Sequence, residues 1–263
     1  MKIVVCIKQV PAAATVKIDP VTSQLIRENV ESVLNPFDYY ALEAALTLKD
    51  ALGAQVTALT MGPAKAEAVL REAVALGADQ GVLLSDRFFA GSDSWATSYL
   101  LSLAIRKLGG VRLVFCGKQA IDGDTAQVGP ELAAQLDWVQ LTNVCTLELS
   151  AADRWLAGRR FDWGQDQVSF RLPAVCSVER ELNVPRIPML KGYLRAAAST
   201  VTTWGVNDLQ PETGWIGLAG SPTRVVSSHP ATMRQRSPQV FDGDTTAAVR
   251  MIQQLLHAQT GEA

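Results

Sequence analysis

Histidine is scarce in this chain, with two in 263 residues, His229 and His257. The four cysteines, Cys6, Cys116, Cys145 and Cys176, are far apart, and no Cys-x-x-Cys occurs. Zinc-type ligand spacing is therefore absent, and no metal site is expected. The cysteines lie in apolar, strand-like runs, which favours buried, reduced thiols and a cytoplasmic location. Charge is also low: Asp, Glu, Lys and Arg make up 19% of the chain, against about 25% in ordinary globular domains. Neither sign dominates, with 24 basic against 26 acidic residues. A balanced chain carries no electrostatic footprint for nucleic acid or for an anionic membrane. No run reaches the roughly 20 apolar residues of a membrane span. The start, Met1-Lys2-Ile3-Val4-Val5-Cys6, lacks the parts of a signal peptide and reads as a strand beginning at once. Aromatics are few, at 6%, and most of the six scattered tryptophans read as packing residues.

Apolar residues are plentiful, at 48%, which excludes disorder. At this length the chain is one large domain or two small ones and can bury a sizeable core. Low charge then has two explanations: a large core, or a surface covered by a partner. The first 140 residues alternate strand and helix patterns. Strands are expected at Lys2–Val10, Gln55–Met61, Gly81–Leu84 and Val111–Cys116. Helices are expected from Pro36 to Gly53, from Gly62-Pro63 to Gly77, from Asp93 or Ser94 to Leu108, and from about Thr125 to Leu136. This order predicts an α/β fold, a doubly wound parallel sheet with helices on both faces. Ligands of such sheets bind outside the carboxyl ends of the strands. Beyond residue 142 the pattern changes. Val144–Leu149, Trp155–Phe161, Gln167–Leu172 and Ala174–Val178 read as an appended antiparallel meander. The expected division is a nucleotide-binding domain over 1–182 and an extended C-terminal arm over 183–263. The arm has little periodicity before a last helix at about Thr245–His257. Ala196–Asn207 and Gly214–Thr223 contain no charged residue, and are expected to face a partner chain.

The most informative segment is Gly117-Lys118-Gln119-Ala120-Ile121-Asp122-Gly123-Asp124-Thr125-Ala126-Gln127-Val128. It leaves a strand and enters a helix. Gly117 and Gly123 let the backbone turn and approach a ligand. Thr125 suits a helix cap, and the first-turn amides suit a phosphate, with Thr125 and Gln127 adding side-chain bonds. Asp122 and Asp124 would repel a phosphate, so they suit ribose hydroxyls or a brace for the loop. Taken alone, the segment is equally a capped strand–helix turn. Asn35-Pro36-Phe37-Asp38 is similar, with Asn35 at the cap and Pro36 in the first turn. Met61 ends a strand beside a helix start, and Lys8, at the end of the first strand, is either a phosphate contact or, more commonly at such a place, a solvated lysine. No nucleophile–histidine constellation or paired carboxylates stand out, so no catalytic residue is expected.

Together these segments resemble the beta subunit of the electron-transfer flavoproteins. The likeness covers almost the whole chain: Val5-Cys6-Ile7-Lys8-Gln9-Val10-Pro11, Asn35 to Asp38, Met61-Gly62-Pro63, Ala75-Leu76-Gly77-Ala78-Asp79, Gly117 to Asp122, Glu181-Leu182-Asn183 and Pro185-Arg186. The resemblance implies an adenine-nucleotide α-hydrolase-like fold and an obligate heterodimer with an alpha subunit that carries a redox-active FAD. It also implies an adenine nucleotide in this chain, at Cys6, Asn35 to Asp38, Met61 and Gly117 to Val128. That nucleotide is AMP in simple carriers and FAD in members that oxidise NADH and bifurcate electrons. The Asp122 to Pro130 version looks like that of the bifurcating members, and small residues at 123 and 126 leave room for a flavin. The arm resembles a recognition loop for a flavin-dependent dehydrogenase, such as an acyl-CoA dehydrogenase, with Leu190 and Arg195 as its docking residues. Two departures stand out: Pro11 is followed by three alanines, and Phe161-Asp162-Trp163-Gly164 replaces a more usual Ile-Asp-Gly-Gly. The resemblance implies a carrier subunit rather than a stand-alone enzyme. An adenine-nucleotide sensor on the same fold is the alternative of another class, and the long arm argues against it.

Overall fold

The computed structural model describes residues 1–12, 17–18, 25–26, 32–151, 153–226, 243 and 245–260. Ala13 and Ala14 of the first loop, and the part of the arm from 227 to 242 with His229, lie outside the described residues. The chain forms two units, Met1–Val225 and Val226–Ala263.

The elements, in chain order, are β1 (Lys2–Cys6), β2 (Gln9–Pro11), β3 (Lys17–Ile18), β4 (Leu25–Ile26), β5 (Ser32–Leu34), α1 (Pro36–Leu52), β6 (Gln55–Met61), α2 (Glu67–Leu76), β7 (Gln80–Leu84), α3 (Ser94–Leu108) and β8 (Val111–Gly117). There follow α4 (Val128–Leu136), β9 (Val139–Ala151), β10 (Arg154–Phe161), β11 (Gly164–Phe170), β12 (Ala174–Val178), α5 (Leu190–Ala198), β13 (Thr202–Trp204), α6 (Val206–Leu209) and α7 (Thr245–Thr260). Nine strands form one sheet in the order β11-β10-β9-β12-β8-β1-β6-β7-β13. From β9 to β13 all neighbours in that order are parallel, whereas β10 and β11 are antiparallel additions at one edge.

Successive side chains of a strand point to opposite faces, and β1 has a helical layer to meet on each. Ile3 and Val5 pack with α1 and α2, while Val4 and Cys6 pack with α3 and α4. The strand is buried on both sides, which is why Ile3-Val4-Val5-Cys6 carries no polar residue. The helix boundaries have local causes. Pro36 begins α1 where its missing N–H is not needed, and Gly53 ends it at φ 65°. Asp93 caps α3 by accepting the Ala96 N–H at 3.1 Å. A 3-10 turn at Ala64–Ala66 precedes α2, which therefore starts later than Gly62-Pro63 suggests.

One expectation is corrected. Ala174–Val178 does not belong to the meander. β12 leaves it and inserts, parallel, between β9 and β8. All five of its residues are buried, and only an interior position covers both faces of such a strand. The uncharged stretches of the arm are anchored on this chain at a few points, while more than half of their residues stay exposed. Thr202–Trp204 adds a parallel strand to β7, and Leu209 and Ile216 complete the core on the α3 side. The Ser221 hydroxyl accepts the Asp93 N–H at 2.9 Å and donates to Gly217 O at 2.8 Å.

Helix α5 lies directly on α2. Arg71 donates to the carbonyls of Ala196 and Ser199 at 3.0 and 3.3 Å, and Arg195 donates to Val74 O. A Cβ at Gly192 would fall 2.0 Å from the Ala75 carbonyl oxygen. Gly192→Ala is therefore expected to lift α5 off α2. Proteolysis within 185–199 should accelerate several-fold, at a cost of only about 1 kcal/mol in global stability; unchanged cleavage kinetics would contradict this packing. Arg186 secures the segment before α5, clamping Glu43 with Nε and Nη2 at 2.8 and 2.9 Å and reaching Asp50 at 2.9 Å.

In the second unit, α7 exposes Val249, Ile252, Leu255 and Leu256. Among the described residues no helix is long and apolar enough to cross a membrane.

Candidate nucleotide cleft

The strand order places one discontinuity at the centre of the sheet. From β1 the chain builds outward through β6 and β7, then returns to the far side of β1 as β8. Crossovers diverge at such a point, and the carboxyl ends of β1 and β8 open into a crevice. A cleft of about 370 Å³ lies there. Its floor is Cys6 and Cys116, paired in register on β1 and β8. One wall is the segment from Gly117 to Gly129, and another is Ser92-Asp93-Ser94 at the start of α3.

Of the residues singled out in the sequence, Cys6, Lys8, Asn35, Asp38, Met61, Gly117, Lys118, Gln119, Ala120, Gly123, Asp124, Thr125, Ala126, Gln127 and Val128 line this cleft. Phe37 lines a neighbouring pocket instead. Pro36, Ile121 and Asp122 do not line the cleft and are exposed. Leu190 and Arg195 lie on α5. Leu190 is 75% exposed, whereas one end of the Arg195 guanidinium is committed to Val74 O. The sequence pattern did not single out Ser92, Asp93, Ser94 or Thr97. Their signals were the cap at Asp93 and the place of Ser92 in a loop that follows the carboxyl end of a strand.

Asn35 and Asp38 tie the cleft together. Asn35 sits at the α1 cap, but its side chain makes no capping bond. It is buried, and its Nδ2 donates to Asp38 Oδ1 and to Gln119 O, both at 2.9 Å. Its Oδ1 accepts the Ile121 N–H at 3.2 Å. One amide thus fastens the Gly117–Val128 segment to α1. Asp38 is buried too, and its Oδ2 accepts the Lys8 N–H at 2.7 Å. Burial pushes its carboxyl up to about 7, against the pull of Asn35, of the Lys8 and Gly117 amides and of the Lys8 charge. Contact with the Cys116 thiol, and then burial, hold the Cys6 thiol above its ordinary range. All four cysteines are free and buried, as the sequence implied.

The loop itself differs from expectation in three ways. Thr125 does not cap α4, which begins at Val128 with Gln127 at the cap. Positive φ falls on Asp124 (53°) and Ala126 (55°) rather than on a glycine of the loop. Side chains there cost free energy and are retained where surrounding structure or function demands them. Gly123 meets nothing within 4 Å, so its lack of a side chain answers no close approach in this structure. At Gly117, by contrast, a Cβ would lie 2.4 Å from Asp38 Oδ1 and 2.8 Å from the Phe37 backbone. The two aspartates act as braces: Lys8 Nζ pairs with Asp122 Oδ1 at 2.7 Å, and Gln119 Nε2 donates to Asp124 Oδ1 at 2.5 Å. Lys118 is tied to Glu179 at 2.6 Å. What remains for an anion at the start of α4 is the pair of amides of Val128 and Gly129, because Pro130 has no N–H and the Glu131 N–H is bonded to Gln127 O at 2.9 Å. Among the described residues no group of three His, Cys, Asp or Glu side chains is placed to hold a metal.

The family description "Electron transfer flavoprotein domain" matches residues 22–209. The electron transfer flavoprotein subunit beta of Thermoanaerobacterium thermosaccharolyticum is 44% identical over 98% of this chain and 99% of its own length. Protein FixA of Azorhizobium caulinodans is 43% identical over 98% of this chain and 95% of its own. The caffeyl-CoA reductase-Etf complex subunit CarD of Acetobacterium woodii is 44% identical over 87% of each chain. A nine-stranded, mainly parallel sheet with a cleft at its switch point, and likeness over nearly its whole length, place this chain in the electron transfer flavoprotein beta-subunit (FixA) family.

Proposed function

We propose that this chain is the beta half of a heterodimer with an alpha subunit that carries FAD, and that it holds a second FAD of its own. The pair passes electrons from NADH to a flavin-dependent dehydrogenase and to a second, low-potential acceptor. One observation supports FAD over AMP in this chain. The cleft of about 370 Å³ suits a mononucleotide, but it adjoins a pocket of about 640 Å³ across Lys118 and Gln119. A dinucleotide can use both, whereas AMP leaves the larger one empty. A flavin, when bound, supplies the hydride and one-electron chemistry. The chain's own residues bind and orient it. The Val128 and Gly129 amides take a phosphate, Asp122 and Asp124 brace the loop, and Cys6 and Cys116 give an apolar floor. The exposed row Val184, Ile187, Met189, Leu190 and Leu194 gives the dehydrogenase an apolar contact surface. The second reading, structural AMP in a non-bifurcating carrier, is favoured by the size of the smaller cleft alone.

Denaturing the purified heterodimer and identifying the released nucleotides decides between them. Two FAD per heterodimer is expected. One FAD and one AMP would sink the bifurcating reading and leave the carrier reading standing.

A further inference from the structure

Cys6 and Cys116 are set side by side by the sheet itself. They are register partners on β1 and β8, and both face the α3–α4 layer. Neighbouring strands run about 4.8 Å apart, inside the roughly 4.4–6.8 Å between Cα atoms that a disulfide spans. The two thiols are in contact, and both are free. They are 8% and 5% exposed, and they form the floor of the nucleotide cleft. The other two cysteines are placed differently. Cys176 packs on the opposite, α1 side of the sheet, and the Cys145 thiol donates to Gly158 O at 3.4 Å.

The pair lies under the start of α4. A Cβ built on Gly129 would fall 3.8 Å from Cys116 Cβ and 4.0 Å from its Sγ, so the first turn of α4 rests on this cysteine. The Val128 and Gly129 amides in that turn are the ones left for an anion. Drawing the Cys116 sulfur toward β1 removes part of their support. Conversely, a ligand in the cleft covers the face from which a small oxidant reaches the sulfurs.

We propose that Cys6 and Cys116 form an intrachain disulfide when hydrogen peroxide reaches the empty cleft, and that this disulfide and a bound nucleotide exclude each other. The exclusion rests on the proposed nucleotide occupancy, whereas the disulfide itself does not. The Cys6 thiol keeps its proton beside Cys116, so the Cys116 sulfur is the attacker. It attacks one peroxide oxygen, the O–O bond breaks, and the other oxygen leaves with the Cys116 proton as water. The product is a Cys116 sulfenic acid. The Cys6 sulfur then attacks the sulfenic sulfur. The S–O bond breaks, the S–S bond forms, and the hydroxyl leaves with the Cys6 proton as a second water. Two electrons pass from the two thiols to the peroxide. Burial keeps thiolate scarce and the first step slow, while the second joins groups already in contact. The pair therefore answers to sustained oxidant in a chain that has lost its nucleotide.

The test exposes the nucleotide-free full-length chain to hydrogen peroxide, alone and with an excess of AMP or, separately, FAD. Peptide mapping without reductant should recover Cys6 joined to Cys116, lighter by two hydrogens and restored by dithiothreitol. Cys145 and Cys176 should still be alkylated as free thiols after unfolding. Cys6→Ala should stop at the Cys116 sulfenic acid, trapped by dimedone. Whichever nucleotide binds should slow the disulfide about tenfold or more, and the oxidised chain should bind that nucleotide about tenfold or more weakly. If nucleotide binds and no Cys6–Cys116 disulfide forms, the pair is wrong and the nucleotide reading survives. If the disulfide forms equally fast with nucleotide bound, or the oxidised chain binds nucleotide as tightly as the reduced one, the exclusion is overturned. If the disulfide forms but neither AMP nor FAD binds the reduced chain, the nucleotide reading itself fails and the exclusion falls with it.

Discussion

Gly117→Ala is expected to abolish nucleotide retention and to cost about 3 kcal/mol of stability, the upper part of the range for overpacking a tight site. The added methyl would sit 2.4 Å from Asp38 Oδ1 and 2.8 Å from both the backbone carbon and the Cβ of Phe37. None of these is the free end of a flexible side chain. Asp38 is held by Asn35 and by the Lys8 amide, and Phe37 lies in the first turn of α1. Relief requires α1 to move away from β8, and that movement opens the junction on which the cleft is built. Gly123→Ala, six residues along the same loop, is the control. Nothing lies within 4 Å of its Cβ position, so its stability should stay within about 0.5 kcal/mol of the parent. Chemical denaturation and the nucleotide content of the purified proteins measure both effects. Similar behaviour of the two variants would refute the steric account.

The second large effect is a dependence of stability on pH. The Asp38 carboxyl lies near 7 in the folded chain and at about 3.9 when unfolded. Between those values the folded chain keeps a proton that the unfolded chain has released. Stability from this group is therefore fully present below about pH 4, falls as pH rises to about 7, and is flat above. At 1.36 kcal/mol per pH unit the full loss is up to about 4 kcal/mol. Asp38→Asn keeps the size of the side chain and removes the titration. Urea unfolding of both proteins from pH 4 to 8 should give profiles that converge in slope above 7 and diverge between 4 and 7, with the parent falling more steeply. Parallel profiles would show that Asp38 is ionised throughout. Lys8 is the charged group whose field reaches Asp38. Its partner Asp122 is a surface carboxylate, so removing that pair should alter the profile only slightly.

The doubly wound sheet was legible because its signals are local. Helix caps, the 3.6-residue period and unbroken apolar strands are written in consecutive residues. The position of β12 was legible too, had its composition outweighed its neighbours. Ala174-Val175-Cys176-Ser177-Val178 lacks the alternation of β11, and the structure buries all of it. The role of Asn35 was not legible. Its sequence position says helix cap, while its side chain serves a backbone amide 86 residues away. Gly117 and Gly123 look equivalent in the sequence, and only packing separates them.

The ends of the sheet carry one more consequence. A strand with an open edge invites another copy to pair with it and so begin a fibre. Here one end is closed by β13, only three residues long. The other end is β11, Gly164-Gln165-Asp166-Gln167-Val168-Ser169-Phe170, largely polar and carrying a carboxylate near its middle. Neither offers a long apolar template. The chain is thereby kept from assembling, strand by strand, with itself.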